Sequence, residues 1–278
     1  MPINQLDFEY IRRLVRDRTA LVLADDKRYL VESRLAPVLK EVGIRSLQEL
    51  VIQLRADPFS ALHQYVIEAL VTTETLFFRD SLPFEALKHA ILPALIHQRQ
   101  PHRSLNIWCA ACASGQEPYS IAILIREHFP ELSAWNLRLL ASDISGQMLE
   151  RSRTGHYTQH EVGRGMSKTL LKTYFKPQGK GWQIDKQIRQ MVDFQQFNLA
   201  DTWPPLPMMD LILMRNVLIY FDLATKQAIL AKVRQHLQPD GYLFLGGGET
   251  TINLDAAFEP VSFKKGVCYR LRGEQPAN

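Results

Sequence analysis

Through the first seventy residues apolar positions recur at helical spacing; beyond residue 100 they gather into short runs bounded by small residues. Phe8, Ile11, Leu14 and Val15 repeat after Asn4, a residue suited to cap a helix. Leu30, Val31, Leu35, Val38, Leu39 and Val42 predict a second helix, kinked at Pro37 and stopped at Gly43. Ser46-Leu47-Gln48-Glu49 has capping-box spacing and opens a third helix through Leu50, Val51 and Leu54. Asp57-Pro58 predicts the start of a fourth, with Leu62, Tyr65, Val66, Ala69 and Leu70 inward. Residues 1–72 are therefore expected to form a small all-α domain.

The rhythm breaks at Thr73-Glu74-Thr75-Leu76-Phe77-Phe78-Arg79-Asp80, and residues 73–82 read as an interdomain joint. Threonines favour turns and caps, while two adjacent phenylalanines demand burial. Arg79 has two readings, surface filler on the joint or a fork that grips a ligand carboxylate.

From residue 83 onward strands and helices alternate, as in an α/β fold. Pro83 starts a helix with Phe84, Leu87, Ile91 and Leu95 on one face. The organising stretch is Leu105–Ser120: an apolar strand, a turn of small residues, and a helix opening at Glu117-Pro118. The turn has only Gly115 in place of the glycine spacing that accommodates a pyrophosphate, and Glu117 stands where an anion would bind the helix start. A carboxylate there favours a cationic or hydroxyl-bearing ligand. S-adenosylmethionine, with its ammonium, sulfonium and ribose, has that chemistry.

A second strand, Leu137–Ala141, runs to Asp143, which reads either as the acid that holds a ribose diol or as a helix N-cap. Tyr174-Phe175-Lys176, the Gly179–Gly181 turn and Trp182-Gln183-Ile184 predict an antiparallel β-hairpin subdomain inserted over about residues 172–190. Val192–Phe197 reads as a third strand ending at Asn198, whose amide suits either an adenine edge or a turn. Asp210–Met214 is continuous enough for a central parallel strand and runs into Arg215–Asp222. A helix over Thr225–Leu237, a fifth strand over Gly241–Leu245 and a last one over Val267–Leu271 complete the pattern. The run Gly246-Gly247-Gly248 permits close approach and by itself says little more.

Composition changes little. The chain of 278 residues is 46% hydrophobic and 22% charged, with a net charge of +4, far from the basic excess of a protein built around nucleic-acid phosphates. No apolar run approaches the roughly 18 residues of a membrane span, and the first residues carry no secretory pattern. Three cysteines, an odd number, point to a reducing compartment, and a cytoplasmic location is expected. Cys109-Ala110-Ala111-Cys112 has C-x-x-C spacing, but the first cysteine ends a strand and the second lies in a turn; no metal or redox site is expected. Arg12, Arg13, Arg16 and Arg18, with Arg28 and Arg34, form either a solvated face or a docking surface for an acidic helical partner.

Four ordered motifs carry a family resemblance: Thr73–Asp80, Ala113-Ser114-Gly115-Gln116-Glu117-Pro118-Tyr119-Ser120, Ala141-Ser142-Asp143-Ile144, and Arg215-Asn216-Val217-Leu218-Ile219-Tyr220-Phe221. Together they resemble the chemotaxis receptor methyltransferases of the CheR type. The resemblance implies a class I S-adenosylmethionine-dependent, Rossmann-like methyltransferase domain over residues 83–278, behind the all-α domain and joint. It implies methyl transfer to glutamate side chains on the cytoplasmic helical bundle of methyl-accepting chemoreceptors, with no nucleic acid and no membrane insertion. By resemblance, cofactor binding falls to Thr73, Thr75, Arg79, Glu117, Asp143, Asn198, Leu199, Arg215 and Asn216. Tyr220 would lie beside the transferred methyl, and Arg99 is the candidate for an active-site arginine. Where the family commonly has Asn, this chain has Thr73, which keeps a hydroxyl contact and loses the two-sided amide. Some members also bind a receptor's C-terminal peptide as an added strand on the hairpin.

The chemistry suits this residue set. A glutamate side chain, with an ordinary pKa of about 4.3, is already ionised at neutral pH, so attack on a sulfonium methyl needs alignment and a dry site more than a strong base. Tyr220 would either orient a carboxylate oxygen or pack against the methyl. Two rivals, a methyltransferase acting on another substrate such as RNA and a non-catalytic scaffold, lack support in the charge balance and in the retained Arg79, Asp143 and Tyr220.

Overall fold

A computed structural model describes residues 3–263 and 266–273. The chain ends and Lys264-Lys265, which fall within the two domain ranges given above, lie outside the described residues. Two compact units emerge: one takes the chain up to Thr72 together with Tyr220–Thr225, the other Thr73–Ile219 and the chain from Lys226 onward.

The first unit packs α1 (Gln5–Thr19), α2 (Arg28–Val42), α3 (Leu47–Ala56) and α4 (Leu62–Leu70) around Phe8, Ile11, Val15, Val31, Leu35, Leu50, Leu54 and Val66. The Asn4 side chain accepts from the Asp7 N–H, capping α1. Pro37 sits within α2 without ending it, and Gly43 closes that helix with φ 72°. The capping box is half formed. Ser46 accepts from the Glu49 N–H, but the Glu49 carboxylate takes the Arg45 N–H. Asp57-Pro58 makes a turn closed by Ser60 N–H on the Asp57 carbonyl, so α4 begins later than its sequence signal suggests. Tyr220–Thr225 joins this unit through Val22 N–H on the Tyr220 carbonyl (2.9 Å), a bridge between Leu21 and Phe221, and the Arg16–Asp222 ion pair. By sequence pattern the whole segment falls in the second domain; pairing across the chain moves it to the first.

The second unit opens with α5 (Ser81–Ala86) and α6 (Leu92–Arg99), joined by a π turn over Leu87–Ile91 just before Pro93. Proline lacks an N–H and collides with the carbonyl four residues back, which a wider turn relieves. There follow β1 (Ser104–Ala110), α7 (Gln116–His128), β2 (Asn136–Asp143), α8 (Gly146–Thr154), β3 (His156–Thr158), α9 (Gln159–Gly163), α10 (Lys168–Tyr174), β4 (Phe175–Gln178), β5 (Gly181–Ile184), α11 (Lys186–Arg189), β6 (Val192–Gln196), β7 (Met209–Met214), α12 (Leu223–His236, counted here from Lys226), β8 (Leu237–Leu245), β9 (Phe258–Phe263) and β10 (Gly266–Leu271).

Seven strands form one sheet in the order β6-β2-β1-β7-β8-β10-β9. The first five are parallel; β10 and β9 close the edge antiparallel. Central β1 pairs Ile107 with both Leu139 and Leu211, and Leu105, Ile107, Trp108 and Cys109 are fully buried. Strand order reverses direction at β1, so ligands are expected at the carboxyl ends of β1 and β7, a topological switch point.

Two strands lack a readable sequence pattern. Pro260 interrupts β9, yet an edge strand tolerates proline. The three-residue β3 is too short to show a period, and with it the predicted hairpin becomes a sheet of order β3-β5-β4. Phe77 anchors this small sheet, meeting Tyr157 and Phe175 edge-on at 5.0 and 5.5 Å.

Candidate functional site

The turn after β1 alternates positive φ values at Ala111 (55°), Ala113 (48°) and Gly115 (87°). Its carbonyls and N–H groups are tied down by side chains. Ser152 donates to the Ala113 carbonyl, Tyr157 to the Ser114 carbonyl, and the Ala113 N–H donates to Asp143 at 2.7 Å. A Cβ on Gly115 would come within 2.9 Å of the Ser152 hydroxyl, so this position combines a left-handed backbone with close packing. The strained turn is held open at the carboxyl end of β1, where a ligand is expected.

Asp143 ends β2 with 7% exposure, and its other oxygen accepts from the Ser145 N–H. The cap of α8 is Ser145, whose hydroxyl accepts from Met148. The N-cap alternative for Asp143 is therefore set aside, and its carboxylate fixes the β1 turn. Asn198 accepts from the Ala200 N–H as a turn residue would, and the Leu199 carbonyl takes Trp203 Nε1 and Lys232 Nζ.

Arg215 is the hub. It follows β7 with only 2% of its side chain exposed. One terminal nitrogen donates to Glu117 at 2.6 Å, the other to Asp80 and to the Arg79 carbonyl, both at 2.9 Å. Arg215 Nε is buried without a protein partner. Glu117, in the first turn of α7, is buried, and burial raises its carboxyl pKa against the opposing pull of Arg215. The joint supplies the remaining contacts by bending sharply: Phe78 and Asp80 have φ of 49° and 55°, and the Phe78 N–H donates to Ser120. Arg79 turns its guanidinium to the Glu74 carbonyl at 3.1 Å, and Thr73 and Thr75 are half-buried on the same joint.

On the β8 side of Arg215 opens a cleft of about 430 Å³. Leu82, Pro83, Phe244, Ile252, Phe263 and Tyr269 line it with apolar surface, and Asp80, Arg215 and Glu249 supply its charged groups. Glu117, Arg215, Arg79 and Asp143 thus gather at the carboxyl end of the central strands. Asn216, next along, adopts φ 59° and gives its N–H to Glu249.

Arg99 is not among them. It lies toward the opposite, amino end of the central strands, where Nε donates to Asp210 at 2.6 Å and the terminal nitrogens hold Asp240. Asp210 is the second residue of β7 and Arg215 follows its last, about 16 Å apart at strand rise. Arg99 thus stands apart from the Arg215 cluster. The signal was present in the chain, since a helix that ends just before β1 must end at that strand's amino edge. Tyr220 belongs to the first unit, where it is half-buried.

Two family models cover the chain in order: "CheR methyltransferase, all-alpha domain" over residues 6–71, and "CheR methyltransferase, SAM binding domain" over residues 73–267. The chain is 40% identical over 277 residues to chemotaxis protein methyltransferase Cher2 of Pseudomonas putida, covering 98% of this chain and 100% of that one. Chemotaxis protein methyltransferase 1 of Pseudomonas aeruginosa matches at the same identity and coverage. The chemotaxis protein methyltransferase of Salmonella typhimurium is 33% identical over 264 residues, covering 93% and 88%. The chain belongs to the CheR methyltransferase family. It is an S-adenosylmethionine-dependent methyltransferase whose cofactor-binding α/β domain follows an all-α domain in the chain.

The donor set fits that cofactor: carboxyl groups at Glu117 and Asp143 for cationic and hydroxyl groups, and a buried guanidinium with one unused donor. Other chemistries find less support. Cys109 and Cys112 are buried thiols whose pKa values burial pushes well up, which suits lining rather than redox exchange. His156 and His160 stand four apart but fall on β3 and α9, and among the described residues no group of three or more His, Cys, Asp or Glu is placed to hold a metal. No helix of the described residues is long and apolar enough to cross a membrane.

Proposed function

We propose that this CheR-family enzyme methylates glutamate side chains on the cytoplasmic helical bundle of methyl-accepting chemoreceptors, giving glutamate methyl esters and S-adenosylhomocysteine in the cytoplasm. The two family domains, in order across residues 6–267, carry the reading. When bound, S-adenosylmethionine supplies an electrophilic methyl carbon. On this reading Glu117 receives the cationic amino end, Arg79 the carboxylate, and Asp143 the ribose hydroxyls. Thr73, Thr75, Asn198, Leu199, Arg215 and Asn216 complete that half. The chain's own task is to align and desolvate. An ionised acceptor carboxylate needs no base, and an apolar wall such as that of the cleft beside Arg215 removes water from it. Tyr220 meets the acceptor, orienting one carboxylate oxygen.

Incubating the enzyme with tritiated S-adenosylmethionine and receptor membranes tests this directly. Base-labile methyl ester on receptor glutamates is the expected product, and label elsewhere or none at all refutes the assignment. Tyr220→Phe is expected to lower turnover about tenfold with cofactor affinity within about threefold; equal methylation rates for variant and parent would remove Tyr220 from the acceptor site.

Receptor recognition has two candidate surfaces. The β4 strand is an edge of its three-stranded sheet, which suits addition of a receptor C-terminal peptide. Absence of heat on titrating such peptides at high concentration rules that tether out. On α1 the arginines are largely engaged within their own unit: Arg12 with Leu23, Glu9 and Asp25, Arg16 with Asp222, and Arg18 with the Pro58 carbonyl. That supports the solvated-face reading over an acidic docking site.

A further inference from the structure

The glycine run after β8 ends in Glu249, a residue that belongs to none of the four family motifs. Its carboxylate gathers four backbone N–H groups. Oε2 accepts from Gly246 at 2.6 Å and from Asn216 at 2.7 Å. Oε1 accepts from Val217 at 2.9 Å and from Ile219 at 3.2 Å. A carboxylate offers about four acceptor sites, and all four are used. Glu249 therefore has no lone pair left to serve as a base. Converging N–H groups around a left-handed residue form a concavity that binds anions, and here the protein's own side chain fills it.

Three of the four donors belong to the segment that leaves β7. That segment is not part of a strand, and Asn216 holds the strained φ of 59°. The Gly246–Glu249 turn is itself closed by the Glu249 N–H on the Gly246 carbonyl. Close approach requires glycine at 246, because a Cβ there would lie 2.7 Å from Glu249 Oε2 and 2.8 Å from the Asn216 nitrogen. One carboxylate thus staples the end of β8 to the loop between Arg215, the hub of the polar network, and Tyr220.

We propose that Glu249 is a positioning residue that fixes the Asn216–Ile219 loop and thereby aligns the acceptor side of the site; this rests on the reading that Tyr220 meets the acceptor. Charge-assisted hydrogen bonds to four amides hold a short loop more firmly than neutral contacts do. Glutamine at this position keeps the shape but offers one carbonyl oxygen and turns an NH₂ toward amides that need acceptors.

Three measurements on Glu249→Gln decide the matter. At saturating cofactor, turnover is expected to fall about tenfold or more, while affinity for S-adenosylhomocysteine by calorimetry, to which Asn216 contributes, falls by clearly less. Amide exchange at Val217 and Ile219 is expected to accelerate, with β7 amides unchanged. Turnover within twofold of the parent, an equal loss of cofactor affinity, or unaltered exchange at 217 and 219 overturns the proposal. If Glu249→Gln does not fold, Gly246→Ala displaces the same carboxylate and must give the same three signatures. Should the parent methylate no receptor at all, the functional reading fails, and the exchange and calorimetry results still decide whether Glu249 pins the loop.

Discussion

Strand β7 carries an arginine network at each end, and the two are built differently. At the amino end Arg99 meets Asp210 and Asp240 with all three guanidinium nitrogens engaged. Asp210 also accepts the Asn106 N–H from neighbouring β1, so the cluster ties helix α6 to two strands. The pairing stabilises both charges: Asp240 is held below the ordinary carboxylate range by its hydrogen bond from Arg99, and Arg99 is pushed up by Asp240. At the carboxyl end Arg215 meets Glu117 and Asp80 but leaves Nε unused, and burial raises Glu117 rather than lowering it. The amino-end cluster is electrostatically complete, which is what a brace needs. The carboxyl-end cluster is incomplete, and an arrangement that bears a desolvation cost in the free protein has affinity to gain from a ligand.

The largest effect should come from removing the incomplete hub. Arg215→Met leaves Glu117 buried without its cation, a loss that breaking a buried pair puts at about 3–5 kcal/mol of stability. Methyl transfer is expected to fall at least about a hundredfold. Arg215→Lys keeps the charge without the fork that reaches Glu117, Asp80 and the Arg79 carbonyl together, and should fold while binding cofactor at least about tenfold more weakly. Calorimetry with S-adenosylhomocysteine beside thermal melts checks both. Wild-type affinity in Arg215→Lys would show that the fork serves packing alone.

The brace should behave in the opposite way. Arg99→Ala strands Asp210, whose side chain is only 3% exposed, with a single amide donor. A stability loss of about 3 kcal/mol is expected. Turnover and cofactor affinity, measured well below the melting temperature, should stay within twofold of the parent. A drop in turnover without a shift in melting would place Arg99 in the active site and erase the contrast between the two ends.

Much of this architecture is legible in the chain, and the reasons for the exceptions are physical. The buried parallel strands show as apolar runs because both faces are covered, and the turn at Gly115 shows as small residues because side chains crowd it. Glu117 stands out by its place in a helix's first turn. Strand β9 hides because Pro260 breaks its pattern at a tolerant edge, and β3 hides because three residues carry no period. Tyr220–Thr225 sits with the first unit through pairing to Leu21-Val22, a contact separated by about two hundred residues that no local signal encodes. Glu249 is the clearest case of a role that sequence periodicity cannot carry, because its partners are backbone amides and leave no side-chain signature.

The smallest effect, and the one that probes the incompleteness itself, is pH dependence. Because burial raises the Glu117 carboxyl above its ordinary value, the free protein takes up this proton at a higher pH than an exposed carboxylate does. A cationic ligand binds the ionised form, so cofactor affinity should fall as pH drops through the raised value, by at most about tenfold per pH unit. Stability moves the other way. With a folded pKa above the unfolded one, Glu117 favours the free fold most below the unfolded value, and that contribution is lost as pH rises through the folded pKa. Other carboxylates pull in the usual direction: Asp240, held low by Arg99, supports the fold above its unfolded value and loses that support on acidification. Subtracting a Glu117→Gln titration from the parent isolates the site. The difference should show affinity falling and free-protein stability rising over the same acid window; if both fall together, Glu117 is an ordinary paired carboxylate and the two ends of β7 are braces alike.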